Sequence, residues 1–146
     1  MNREILFRGK RTDNGEWIEG YPVFYPSGKC IFYKKALELP DSLFYCEVDP
    51  STVCQYTGLT DLNGVKVYEG DIIQGYDGLF AVDYRSYRAC FMAVGIGTEI
   101  MAYLVQYMMR SDFEVVGNKW DNHELLKHAD ENMAQYADNP ALASTI

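Results

Sequence analysis

Turn-forming residues recur at very short intervals in the middle of this chain, and this feature limits the possible folds more than any other. Four turn signals occur between residues 57 and 78, at Thr57-Gly58, Asp61 to Gly64, Glu69 to Asp71, and Tyr76 to Gly78. Such close spacing leaves room only for short strands between the turns. Short strands with tight turns favour a compact barrel- or sandwich-like core over an open sheet. The sequence therefore predicts a mainly β (α+β) fold.

The predicted strands of this core lie between the turns, at Val53 to Tyr56, Val65 to Tyr68, Ile72 to Tyr76, Leu79 to Tyr84, and Arg88 to Val94. A further β section precedes them. There, an Asn14-Gly15 step supplies the positive φ angles of a tight hairpin between Ile5 to Arg8 and Trp17 to Val23. Two more apolar runs, Cys30 to Lys34 and Leu43 to Val48, complete this N-terminal section.

Helical periodicity occurs only late in the chain. Apolar residues recur every three or four positions from Thr98 to Arg110, which predicts a helix at about 99–110 that covers the sheet. Asp121 and Glu124 have capping-box spacing, which predicts a second helix from Asn122 to about Tyr136, followed by a mobile tail. The expected sections are 1–52, 53–120 and 121–146, within one structural unit.

Charge and composition exclude several classes of protein. The 146 residues are 48% hydrophobic, which is enough for one ordered domain, and the net charge is −8. A negative chain has no general affinity for phosphate backbones or anionic lipids. No apolar run is long enough for a membrane span or a secretory signal, so we expect a cytoplasmic protein.

The four cysteines, Cys30, Cys46, Cys54 and Cys90, lack the close pairs that zinc sites use. Each lies among apolar or aromatic neighbours, where cytosolic thiols are usually buried small hydrophobes. The two histidines, His123 and His128, are five residues apart, which turns them away from a shared helix face. We therefore expect reduced cysteines, no metal and no cofactor.

One polar segment is the strongest candidate for chemistry. Its members are Tyr56, Gly58, Asp61, Asn63, Gly64, Tyr68, Glu69, Gly70 and Asp71. The three carboxylates, flanked by tyrosines, are of the type that forms acid–base pairs or cation sites. Asp, Asn and Gly at these positions also build tight turns, because the side chains bond to backbone amides and Gly adopts positive φ. The second interpretation is favoured, so the segment is predicted to be structural first.

Several blocks of the chain also match a known pattern. They are Ile5 to Arg11 with Asn14 to Trp17, Gln55 to Leu59, Asn63-Gly64, Val67 to Ile73, and Glu114 to Asn118 with Asn122 and Glu124 to Leu126. Together these blocks resemble the YopX family of small bacteriophage and prophage proteins. Lys119-Trp120 and His123 depart from that pattern. The resemblance implies a β-rich fold with a barrel-like part around Glu69 to Ile72, no accepted enzymatic activity and no catalytic residues to carry over.

Three functions compete. The first is a non-enzymatic, self-associating protein-binding or regulatory module, because seven Phe, twelve Tyr and two Trp exceed what so small a core readily buries. Its partners would be a second copy and a host or phage protein. Candidate interaction residues are Arg8, Lys10, Arg11, Trp17 and Trp120. The alternative is a nucleic-acid role, through the basic N-terminus or by acidic mimicry of DNA. An enzyme is the third, and no dinucleotide, phosphate-loop or nucleophile motif supports it.

Overall fold

The structure is a computed structural model, which describes residues 3–35, 43–110 and 112–127. The fold is mainly β, with two antiparallel sheets and one α-helix in the described part of the chain. The chain divides into two compact units, Met1–Gly58 and Leu59–Ile146. Each unit has its own cluster of buried apolar residues, so each is described by itself.

The first unit is built from antiparallel strands in the order β4-β3-β2-β1-β5. Their bounds are β1 Phe7–Lys10, β2 Trp17–Phe24, β3 Cys30–Lys35, β4 Leu43–Val48 and β5 Cys54–Thr60, of which β5 runs on into the second unit. A short 3-10 turn, Pro50–Thr52, joins β4 to β5. Asp49 begins this turn, since its side chain accepts a hydrogen bond from the Ser51 amide at 3.0 Å.

Phe32 is the centre of the first unit's core. Its side chain is 1% exposed, and it clusters with Cys30 and Val48. Two glycines make room for it. A β-carbon at Gly9 would lie 3.2 Å from the Phe32 ring, and one at Gly20 would lie 2.8 Å from the Tyr33 carbonyl oxygen. Glycine at these two positions therefore lets the strands pack closely against the Phe32 ring and the β3 backbone.

The second unit contains the remaining strands and the helix. Their bounds are β6 Lys66–Tyr68, β7 Asp71–Gly75, β8 Gly78–Arg85, β9 Cys90–Gly95, β10 Met101–Tyr103, α1 Leu104–Arg110 and β11 Glu114–Asn118. The second sheet has the order β10-β9-β8-β7-β11, and every neighbouring pair is antiparallel. Helix α1 contributes Leu104 and Tyr107 to the core of this unit, where Tyr107 packs on Phe80 with ring centroids 4.6 Å apart.

The predicted barrel- or sandwich-like core does not form a closed barrel in the described chain. In the first unit, the edge strand β4 meets the segment after β1 through one isolated bridge, Arg11 to Val48. One bridge is too little hydrogen bonding to close a sheet. In the second sheet, β10 and β11 remain separate edges. The mainly β class is confirmed, and both sheets are open.

The covering helix is shorter than the predicted 99–110, because it begins at Leu104. Met101–Tyr103 forms β10 instead, in register with Val94, Ala93 and Met92 of β9. The Gly95 amide donates to the Ile100 carbonyl at 2.7 Å and closes this hairpin. Pairing with β9 thus overrides the helical periodicity of these residues.

Asn122, and not the predicted Asp121, directly precedes the helical turn at this point of the chain. Asp121 instead accepts a hydrogen bond from Asn118 Nδ2 at 3.1 Å, and Asn122 precedes a short 3-10 helix, His123–Leu126. The rest of the predicted second helix and the tail, residues 128–146, lie outside the described residues. The predicted strand from Arg88 begins at Cys90, because Ser86–Arg88 is a 3-10 turn that ends at Ala89 with φ of 51°.

Replacing Phe32 with Ala should destabilise the protein by about 3–5 kcal/mol, because it removes a buried ring and leaves a cavity. The matched control is Phe24→Ala, which removes a ring that is 60% exposed and should change stability by less than about 1 kcal/mol. Urea unfolding followed by circular dichroism measures both. Equal losses for the two variants would contradict the assignment of Phe32 as the core residue.

Candidate functional site

The Asp61 side chain of the polar segment accepts hydrogen bonds from three backbone amides. It is 7% exposed, at the start of the turn between β5 and β6. Its Oδ1 accepts hydrogen bonds from the amides of Asn63 at 2.9 Å and Val65 at 2.8 Å, and its Oδ2 accepts one from the amide of Val115 at 3.0 Å. One carboxylate therefore braces its own turn and holds the outer edge of β11.

These contacts favour the ionised form of Asp61. Burial raises the pKa of the carboxyl, but the hydrogen bonds from the Val115, Val65 and Asn63 amides outweigh it, so the pKa lies below its usual value. Such a group is ionised at neutral pH and has its oxygens committed to amides. This geometry suits a turn brace rather than a proton donor.

Asp71 braces the next turn in the same manner. It is 1% exposed, and its Oδ2 accepts a hydrogen bond from the Tyr68 amide at 2.8 Å. Between them, Glu69 is half-buried and Gly70 has φ of 87°. The Gly70 amide donates to the Val82 carbonyl at 2.7 Å, which fixes the turn against β8.

Trp120 packs directly against this second turn. A β-carbon at Gly70 would lie 2.5 Å from Cζ3 and 2.7 Å from Cη2 of the Trp120 indole, so only glycine fits. The Lys119 amide donates to the Gly70 carbonyl at 2.9 Å, and the Lys119 ammonium lies 4.6 Å from the indole centroid. The candidate interaction residue Trp120 is therefore half-buried and serves this contact.

Asn118 shapes the loop that carries Trp120. Its Oδ1 accepts hydrogen bonds from the amides of Trp120 at 3.0 Å and Asp121 at 2.9 Å. The Asn118 amide donates in turn to Asn122 Oδ1 at 3.1 Å. A β-carbon at Gly117 would collide with the Asn122 amide group, which explains glycine there. Residues 118–122, which include part of the last family-like block, thus form one hydrogen-bonded loop.

The other members of the polar segment also lie in turns or strands. Gly64 has φ of 79° and donates to the Asp61 carbonyl at 3.0 Å, while Asn63 is exposed and reaches Glu114 Oε1 at 3.4 Å. Tyr68 is buried. Tyr56 and Gly58 belong to the first unit, and the other members belong to the second.

A different surface emerges from the strand register of the first unit. Tyr21 lies opposite Tyr33, and Tyr33 lies opposite Tyr45, across the adjacent strands β2, β3 and β4. Directly paired residues share one face of a sheet, so the three rings form a row, here called the tyrosine row. Tyr21 is 54% exposed and Tyr45 is 68% exposed, and the Tyr33 and Tyr45 rings are 6.1 Å apart.

Basic and aromatic side chains continue this face on β1 and β2. Lys10 lies opposite Trp17, and the Arg8 guanidinium and Lys10 ammonium lie 4.6 Å and 5.4 Å from the indole centroid. Arg8 Nε also donates to Cys54 Sγ at 3.3 Å. These cations are engaged with groups of the same unit.

Arg11 is committed to a neighbour as well. It forms an exposed ion pair with Asp13 at 2.6 Å. The hydrogen bond to Asp13 raises the pKa of Arg11, and the same bond lowers the pKa of Asp13. Arg11 also borders an open cleft of about 410 Å³, lined by Lys10, Arg11, Thr12, Gly15, Asp49 and Pro50.

The tyrosine row was missed in the sequence, although a signal for it was present. Tyr21 and Tyr33 are equally distant from Ser27, the centre of the Pro26-Ser27-Gly28 turn. A hairpin centred there pairs them directly. The pairing of Tyr45 depends on β4, and residues 36–42 between β3 and β4 lie outside the described residues, so this pairing cannot be read from a turn length.

The described residues also show the state of possible metal ligands, cysteines and apolar helices. Among residues 3–35, 43–110 and 112–127, no group of three His, Cys, Asp or Glu side chains is arranged to hold a metal ion. All four cysteines are free thiols. No helix in that part of the chain has the length and apolarity needed to cross a membrane.

The fold and the braced turns define a small, mainly β protein whose motif residues hold loops to sheets. The family model described as YopX protein matches residues 6–127. The chain belongs to the YopX family, as its motif blocks predicted. Among solved structures, it is similar to the crystal structure of protein EF1440 from Enterococcus faecalis, at 24% identity and TM-score 0.44, over 86% of this chain and 100% of that one. No curated protein matches it.

Replacing Asp61 with Asn should destabilise the protein by about 1–3 kcal/mol, because an amide cannot accept all three backbone hydrogen bonds. The folded pKa is lowered, so the contribution of Asp61 is present at neutral pH and is lost as pH falls from about 5 through the folded pKa. Urea unfolding between pH 3 and 7 should show a smaller acid loss in the variant. Glu114→Gln, an exposed change nearby, is the control and should retain the parental pH dependence.

Replacing Gly70 with Ala should cost more stability than replacing Gly64 with Ala. Both glycines have positive φ, so both variants strain the backbone by on the order of 1 kcal/mol, but only Gly70 faces the Trp120 ring. Gly70→Ala should cost less stability in the Trp120→Ala background than in the parent, because only the backbone strain remains once the indole is removed. Thermal melts measure the four proteins, and equal losses at both glycines would show that the indole contact is not limiting.

Proposed function

We propose that this YopX-family chain is a non-enzymatic, self-associating protein-binding module whose contacts are made by the first unit. The exposed tyrosine row carries the proposal. Tyrosine is enriched at protein interfaces because one end of its side chain is apolar and the other forms hydrogen bonds. Three such rings in register on one sheet face give a rigid contact surface.

Charge supports contact with protein over contact with nucleic acid. The first unit holds seven basic and eight acidic residues, so it is nearly neutral, and most of the net charge of −8 lies in the second unit. Binding to phosphates requires a surplus of cations. Arg8 and Lys10 lie over Trp17, and Arg11 is paired with Asp13, so these cations serve the unit itself.

The bacteriophage or prophage setting implied by the family gives this module its context. A host or phage protein is then the second class of partner after another copy of the chain. The carboxylates most suited to acid–base chemistry, Asp61 and Asp71, accept backbone hydrogen bonds, which also favours binding over catalysis.

Light scattering at micromolar concentration should give the mass of more than one chain. The double variant Tyr21→Ser with Tyr45→Ser should weaken association by about tenfold or more, because it removes two exposed rings from the row. The matched control, Tyr76→Ser with Tyr87→Ser, removes two exposed rings from the second unit and should leave the mass unchanged.

Two outcomes would overturn the proposal. A parental mass of one chain at all concentrations would exclude self-association. A double tyrosine-row variant that assembles as tightly as the parent would place the contact elsewhere on the molecule.

A further inference from the structure

Strand β4 ends the first sheet on one side, and part of its outer edge has no partner in the described structure. From Glu47 onward the edge is covered, since the Thr12 amide donates to the Glu47 carbonyl at 3.1 Å and Arg11 bridges Val48. Over residues 43–46, no described residue pairs with it. This stretch is called the open edge.

The register shows which backbone groups face the open edge. At the turn between β2 and β3, the Tyr25 amide donates to the Lys29 carbonyl at 2.9 Å. Because backbone hydrogen bonds alternate along an antiparallel strand, Lys29, Ile31 and Tyr33 form theirs with β2. The even-numbered residues of β3 therefore bond to β4, through Phe44 and Cys46. Tyr45 consequently directs its own N–H and C=O away from β3, just as Glu47 directs its carbonyl to Thr12.

The other edges differ from this one. On β11, the Val115 amide is occupied by the Asp61 carboxylate, the Phe113 carbonyl just before the strand accepts from the Leu62 amide at 3.2 Å, and a bulge follows Val115. Strand β6, which lies next to β5 at the other edge of the sheet that contains β4, and strand β10 have three residues each, and β10 runs directly into α1. Bulges, short strands and covering groups are the usual protections of sheet edges.

The open edge lacks such protection in its sequence as well. Leu43, Phe44, Tyr45 and Cys46 include no proline, glycine or charged residue. The four side chains of the open edge therefore place no charge of their own against a second copy. Two-fold pairing centred on Phe44 would put Phe44 opposite its own copy and Tyr45 opposite Leu43 of the partner subunit, and it would leave the contact of Glu47 with Thr12 intact.

We propose that two copies of this chain associate through β4, pairing antiparallel about a two-fold axis at Phe44. This inference rests on the proposed self-association and specifies its geometry. Each pair of Tyr45 and the partner subunit's Leu43 exchanges both N–H···O=C bonds. The two Phe44 rings lie side by side at a non-hydrogen-bonded position, where cross-strand side chains are closest. The tyrosine rows of both copies then lie on one continuous face.

Hydrogen exchange at single amides tests this arrangement in the unmodified protein. The Tyr45 amide should exchange at least tenfold more slowly at concentrations where light scattering gives two chains than after dilution to one. The Phe44 amide, which bonds within the sheet, is the internal control and should change little. A Tyr45 amide that exchanges at the same rate in the paired protein would overturn the inference.

Tyr45→Pro tests it independently. Proline removes the outward donor at this position together with the Tyr45 ring, and edge strands tolerate proline there, so Tyr45→Ser, which loses the ring but keeps the donor, is the matched control and should pair more tightly than the proline variant. The variant should have the mass of one chain and a parental circular dichroism spectrum, whereas Tyr45→Phe should remain paired. Should proline disturb the fold, Tyr45→Lys replaces it, since an edge lysine opposes strand addition and keeps the backbone donor. Pairing of a folded proline or lysine variant at parental affinity would contradict the inference.

The outcomes separate the two proposals. A parental protein that is a single chain at every concentration removes both. If the parental protein pairs, the double tyrosine-row variant does not, and the Tyr45 amide of the parent exchanges at the same rate in both states, then the proposed function stands and the β4 geometry does not. A mass that rises beyond two chains with concentration also contradicts a closed two-fold pair.

Discussion

The hydrogen bonds of the Asp61 carboxylate connect the turn before β6 to β11, and the arrangement of the second unit depends on them. Three backbone amides from two separate segments converge on its two oxygens. Two of them shape the turn into β6, and the third, from Val115, lies on the side of β11 that faces away from β7. A side chain thus takes the place of a strand partner at a sheet edge, which satisfies the edge amide and blocks further strand addition.

A second constraint acts through shape. The indole of Trp120 occupies the space next to Gly70, and the backbones of Lys119 and Gly70 are hydrogen-bonded across the same contact. Two motif blocks that lie about fifty residues apart in the sequence are therefore in contact, because the Trp120 ring fits against the backbone of Gly70, which has no side chain. This explains why the most distinctive motif residues of the chain stabilise loops and why they leave little polar chemistry exposed.

The first unit follows a different design. Its inner face packs around Phe32, while its outer face carries tyrosines at paired positions and cations over Trp17. Buried glycines on the inner side allow the strands to pack closely against the ring. The outer side carries exposed tyrosines. An exposed aromatic row beside an unprotected strand edge makes this unit the place where we propose contacts with other chains.

Much of the local structure followed from the sequence, because local turn chemistry is encoded in neighbouring residues. Asn, Asp and Gly at 61–64 and 69–71 determined the turns, and the short intervals between them determined a β-rich chain of short strands. Asp61 and Asp71 accept hydrogen bonds from backbone amides at these turns, and the motif blocks determined the family.

Tertiary structure decided the features that depend on contacts between residues far apart in the chain. Met101–Tyr103 is a strand because it pairs with β9. Asp121, expected to cap a helix, accepts a hydrogen bond from Asn118 Nδ2. The register of β2, β3 and β4 places three tyrosines side by side. These outcomes depend on residues far apart in the chain, so no local pattern specifies them.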